Sequence, residues 1–208
     1  GKDRIAELYK GHEVATHGVE HLTIARCPMT DVVKEILNDR EALEELTGKI
    51  VCGHAYPNGS YSHEIKTLLP SLGIHYARTA TDSGKYTHPQ DFYEWNPTCH
   101  HNNRLIEHAK EFLAFDLPQF QYLFYVWGHS YEFDRDKNWD VIEEFCKMTG
   151  GREDIWYATN AEACHYLMAV KSVYTSVDEK ILFNGSGQDI YLFRNGEKIC
   201  LHPGLHSV

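Results

Sequence analysis

Two imidazoles stand four residues apart in the stretch Gly11–Pro28, at His17 and His21 of Thr16-His17-Gly18-Val19-Glu20-His21. Neutral imidazole is the commonest protein ligand for a divalent ion, and two on one helix face fill adjacent positions of a tetrahedral or octahedral site. His12-Glu13-Val14-Ala15 reads as a short strand, so the spacing predicts a strand-to-helix corner winding into a helix after Gly18. The chemistry expected is that of a hydrolytic metal centre. With 14 histidines in 208 residues the pair alone is a weak signal, and its neighbours must carry the reading.

Three other places bear chemistry. In Tyr56-Pro57-Asn58-Gly59, Pro fixes φ and Gly permits a tight bend, which aims the Asn58 backbone N–H at an oxyanion. The apolar run Gln121–Trp127 ends in Gly128-His129, where an imidazole suits proton donation at neutral pH. Glu94-Trp95 and Trp127 offer flat rings against which a sugar stacks. His54 and the adjacent His100-His101 are further imidazoles, and the adjacent pair reads as solvated loop residues rather than ligands.

The elements that must position these groups alternate. A helix tail at Lys2–Lys10 precedes the strand His12–Ala15. Thr30–Leu46 has helical apolar spacing, with Thr30 and Asp31 as caps and Gly48 as its stop. Lys49–Ala55 reads as a strand, Ser62–Leu72 as a helix and Gly73–Thr79 as a strand, followed by a functional-length loop over Thr81–Thr98. Then come a helix at Asn102–Phe115, the strand Gln121–Trp127, a helix at Trp139–Met148, a strand at Ile155–Thr159 and a helix at Ala161–Tyr174. Short strands at Ile181–Phe183, Asp189–Phe193 and Lys198–His202 close the chain, with Asn195-Gly196 as a hairpin signal. Alternating strands and helices with the special residues after strand ends point to an α/β fold, a β/α barrel whose active site sits at that mouth. Residues 1–175 read as the barrel and 176–208 as a C-terminal β extension of the same domain.

A net charge of −10 argues against a nucleic-acid partner, which needs a basic stripe. No run approaches the ~18 apolar residues of a membrane span. There is no glycine-rich phosphate loop. The six cysteines are scattered without a Cys-x-x-Cys pair, read as buried thiols that lean toward a reducing compartment. A removed export signal stays open.

With these points placed, the sequence resembles the NodB-type polysaccharide deacetylases, carbohydrate esterase family 4. Gly11–His21 looks like that family's His-x-x-x-His motif, and Ala55-Tyr56-Pro57-Asn58-Gly59 its Arg-x-Pro-x-Gly motif apart from the first residue. Phe92-Tyr93-Glu94-Trp95 is similar to its acidic-Trp motif, and Phe124–His129 to its strand ending in His. The resemblance implies a distorted (β/α) barrel that removes acetyl groups from N- or O-acetylated carbohydrate with one divalent metal, usually zinc. It implies His17 and His21 as metal ligands, metal-activated water as the attacking group, His129 as general acid and Asn58 as oxyanion donor. Tyr56, Trp95 and Trp127 become the substrate-binding aromatics.

Two departures stand out. The family's Asp-Asp-Gly strand, which supplies the general base and the third ligand, has no counterpart, since no Asp-Asp occurs in the chain. The expectation is therefore a barrel lacking its first β/α unit. Ala55 stands where the family carries an Arg that orients the base. Two rivals follow: a non-catalytic carbohydrate-binding remnant of the same fold, and a zinc peptidase of His-x-x-Glu-His type with Glu20 as base. The peptidase motif belongs inside a long helix, and Gly18 argues for a corner instead.

Overall fold

Helix α2 (Met29–Thr47) is the longest element and sets the packing of the N-terminal half. It turns Val32 and Ile36 into the core on one stripe, where Ile24, Tyr56, Ile65, Leu69, Ile74 and Ala77 close around them. Pro28 precedes its first turn and Gly48 ends it at φ 66°, as the Gly48 stop predicts. No side chain caps its start, so the expected capping by Thr30 and Asp31 is replaced by the Pro28 carbonyl, which accepts the Asp31 and Val32 amides.

The computed structural model describes residues 4–117 and 119–207. Helix α1 spans Ile5–Leu8; Lys2 and Asp3 of the expected helix tail, and Val208 of the expected C-terminal extension, lie outside the described residues. The chain divides into two units, Gly1–Asp116 with Tyr122–Tyr157, and Leu117–Gln121 with Ala158–Val208.

In the first unit the strands are parallel, as the alternation predicts, but very short. Strand β1 (Gly53–Ala55) pairs with β2 (Tyr76–Arg78), with Gly53 opposite Tyr76. Single parallel bridges extend the pair on either side, Thr16 to His54 and Arg78 to Trp95. Strands β3 (Cys99–His100) and β4 (Val126–Trp127) form a second parallel pair. The mix of helices and parallel strands is as expected, but the sheets are small and unclosed and do not establish the expected distorted barrel lacking its first β/α unit. Gly53 shows how tightly the first pair is built, because a Cβ there would lie 2.2 Å from the Tyr76 hydroxyl. Helices α3 (His63–Leu68), α4 (Leu105–Leu113), α5 (Ser130–Asp136) and α6 (Trp139–Thr149) complete the unit. Tyr86, Phe112, Phe115 and Phe124 form an aromatic cluster beside α4, with Phe145 of α6 on Phe124.

Several local expectations are corrected. His12–Ala15 forms no strand, since only Thr16 bridges β1. Ile155–Thr159 forms no strand, and helix α5 lies between the expected strand Gln121–Trp127 and the expected helix Trp139–Met148.

In the second unit, helix α7 (Asn160–Val170) starts at a capping box made by Thr159 and Glu162. It ends short of Tyr174 because Val173–Thr175 (β5) joins an antiparallel sheet with β6 (Ile181–Asn184) and β9 (Gly204–Ser207). Strands β7 (Ile190–Arg194) and β8 (Glu197–Leu201) form a hairpin turning at Asn195-Gly196, both with positive φ as that dipeptide predicts. The buried Asn184 amide donates to the Gln188 and Leu201 carbonyls, at 2.8 and 2.9 Å.

Candidate metal centre

The two motif histidines meet, though not in the way their spacing predicts. No helix forms over His17–His21. Left-handed turns at Gly18 (φ 80°) and His21 (φ 55°) fold the loop back on itself, and the two rings stand edge to face with centroids 4.7 Å apart. Glycine is suited to the first turn for a second reason, because a Cβ on Gly18 would sit 2.8 Å from Glu35 Oε2.

Helix α2 holds this loop with two carboxylates. Asp39 Oδ2 accepts the backbone N–H of His17 at 2.7 Å and of Gly18 at 2.9 Å. The buried Glu35 accepts the Glu20 N–H at 3.0 Å. The sequence signal for both was present: positions 35 and 39 continue the inward stripe of Val32 and Ile36. Glu20 itself is exposed, and with no helix around it the peptidase geometry is not formed.

The His17 ring lies 2.7 Å from the Ala55 carbonyl through Nδ1. A carbonyl can only accept, so Nδ1 carries the proton and Nε2 is left with its lone pair, the arrangement of a metal-ligating imidazole. Burial holds the His17 pKa below the ordinary histidine value, and the neighbouring His21, Arg78 and His129 push the same way. The donor chemistry fits a divalent ion at two of its positions. Among the described residues no third His, Cys, Asp or Glu joins these two in a set of donors mutually within 4.8 Å.

His129 follows β4 and is exposed. Trp127 beside it has its ring centroid 6.2 Å from the His129 ring, the Arg78 guanidinium 4.8 Å over its face, and its Nε1–H on Asp82 at 2.6 Å. Asn58 sits exposed at a left-handed φ of 55°, its side chain donating to the Thr23 hydroxyl at 3.2 Å. Two expected aromatics are placed elsewhere. Tyr56 and Trp95 are 1% and 2% exposed, within the core, and offer a sugar no free face. The reason is packing: Tyr56 donates to the Tyr93 carbonyl and stacks on Tyr61, while Trp95 meets Tyr76, Phe92 and Tyr125.

The adjacent pair is not simply solvated either: His100 is partly exposed and His101 is buried. His54 is buried, its Nδ1 2.8 Å from the Thr16 hydroxyl, and burial brings its pKa down to about 3. His101 is 4% exposed and stacks on Phe133. Sequence reasoning also missed Glu132, whose carboxylate faces His100, His101 and His129. The available signal was its place three residues after His129, the N3 position of a helix start.

The polysaccharide deacetylase family model matches residues 2–77, which includes the His17–His21 loop and the Pro57-Asn58-Gly59 turn. A crystal structure from Mycobacterium smegmatis, provisionally named a polysaccharide deacetylase, is similar in fold, with a TM-score of 0.50 and 17% sequence identity. The likeness covers 82% of this chain and 67% of that one. Curated protein sequences give no match. The family match supports the resemblance to the polysaccharide deacetylases over residues 2–77, and the structural likeness supports the fold alone.

Proposed function

We propose that this chain removes acetyl groups from N- or O-acetylated carbohydrate. The observation that carries the reading is the His17–His21 ring pair, folded together by a strained loop. A left-handed φ at a residue as large as histidine costs free energy, and such strain concentrates at functional sites.

His17 and His21 are the residues to hold a divalent ion, with His17 Nε2 freed by the Ala55 carbonyl. When bound, zinc supplies Lewis acidity toward an acetyl carbonyl. His129, exposed at the strand end, gives a proton to the departing amine or alkoxide. The Asn58 backbone N–H, on a turn fixed by Pro57, offers a donor to the oxyanion. Trp127, partly exposed beside His129, is the ring against which a sugar packs.

The test is acetate release from chitooligosaccharide and from O-acetylated xylan by the zinc-supplemented chain, with the His17→Ala/His21→Ala variant and a peptide substrate as controls. Release that the double variant abolishes supports the reading. Release unchanged in that variant, or absent from every acetylated sugar while zinc is bound, overturns it.

A further inference from the structure

A second group of donors lies at the ends of β3 and β4, away from the motif pair in sequence. Glu132 Oε2 stands 3.0 Å from His100 Nε2 and 3.4 Å from His101 Nε2, and the three donor atoms are all within 4.8 Å of one another. Nitrogen and oxygen ligands on a tetrahedral ion at ~2.0–2.1 Å stand about 3.3 Å apart. The observed spacings straddle that value.

The decisive atom is His101 Nε2. The ring is 4% exposed, and this nitrogen is buried with no hydrogen-bond partner. An unsatisfied buried polar atom is costly. The Glu132 carboxylate oxygen 3.4 Å away makes no hydrogen bond with it, and a cation held between the two would satisfy this nitrogen. Arg135 reaches the other carboxylate oxygen, Glu132 Oε1, at 3.4 Å and leaves Oε2 directed at the imidazoles.

We propose that His100, His101 and Glu132 form a divalent-cation site distinct from the His17–His21 pair. It opens toward the exposed ring of His129, whose Nδ1 lies 3.5 Å from the same Oε2. On taking the ion, His100 moves its proton from Nε2 to Nδ1 and gives up the 3.1 Å contact in which Nδ1 accepts the Asn102 N–H. His100 keeps partial exposure and His101 is enclosed, so solvent reaches the site from the His100 and His129 side. A borderline ion that accepts nitrogen and oxygen ligands, such as zinc, suits this set better than calcium or magnesium. The inference stands apart from the deacetylase reading, because it needs neither His17 nor His21.

Titration of the full chain with Co²⁺ tests it, followed by calorimetric stoichiometry and the visible absorption of the bound ion. The unaltered chain should show a band that survives His17→Ala/His21→Ala. His101→Ala and Glu132→Gln should each remove that band and one equivalent of metal, and combining them should remove no more. Should His101→Ala fail to fold by circular dichroism, the less buried His100→Ala should weaken the same site at least ~10-fold. Metal content and band unchanged in Glu132→Gln and His100→Ala overturn the proposal. So does a band lost only with His17 and His21.

Discussion

Asp39 accepts the backbone N–H of His17 at 2.7 Å, so a carboxylate from the middle of α2 fixes where the first motif histidine sits. The same oxygen takes the Gly18 amide, which makes it the anchor of the left-handed turn as well. Replacing Asp39 by Ala removes the acceptor for both amides. Hydrogen bonds to a charged group contribute about 1.5–3 kcal/mol each, and losing an orienting contact behind a metal ligand costs ~10–100-fold in affinity. Asp39→Ala should therefore lower the unfolding free energy by about 3 kcal/mol, two such bonds at the low end of that range. It should also weaken zinc at the His17–His21 pair, and urea unfolding and calorimetry on one preparation check both.

The buried His54 gives the fold a pH dependence of definite sign. Its pKa is about 3 in the folded chain, against about 6.5 when unfolded, so the unfolded chain takes up the proton first as pH falls. Stability is complete above pH ~6.5 and declines below it by as much as ~1.4 kcal/mol per pH unit for this one group. His17, also depressed, adds in the same direction. Unfolding curves at pH 7.5, 6.0 and 5.0 should show this slope, and His54→Gln should flatten it by close to one proton.

Proton donation by His129 is expected to matter in proportion to how poor the leaving group is. His129→Gln should reduce acetate release from an N-acetylated sugar by ~10²–10⁴. Hydrolysis of 4-nitrophenyl acetate, whose phenolate departs without help, should fall far less. Equal loss on both substrates would mean that the imidazole serves some other purpose.

Gly128 has φ 151°, and a Cβ there would lie 1.8 Å from His101 Nδ1. Gly128→Ala must displace the His101 ring or shift the backbone, with a cost of about 1–3 kcal/mol as for other overpacked sites. The melting temperature should drop, and the Co²⁺ band assigned to His100, His101 and Glu132 should weaken while binding at His17 and His21 persists.

What could be read from the residues themselves followed how local each signal was. Helix α2 and the Asn195-Gly196 hairpin rest on periodicity and on a dipeptide that favours positive φ, and both formed as expected. The parallel pairing followed from alternation, but strand lengths did not, because a run such as Tyr122–Trp127 is apolar throughout while the ladder takes in Val126–Trp127 alone. The motif histidines came together through positive φ at His21, which no pattern of residue types announces. Burial of Tyr56, Trp95 and His101 was beyond reach for the same reason: neighbours distant in sequence decide it. Glu35 and Asp39 were the legible miss, since two carboxylates on an apolar helix stripe ask for partners.

Because α2 reaches up to the His17–His21 loop with Glu35 and Asp39, that helix is mooring as well as wall. The short strands beneath grip the loop through Thr16 and through the Ala55 carbonyl on the His17 ring. Transplanting the histidine segment onto another scaffold would carry the ligands but leave their tethers behind, and the rings would drift. Any attempt to reshape this mouth must therefore recruit loop and helix together, as one inherited piece.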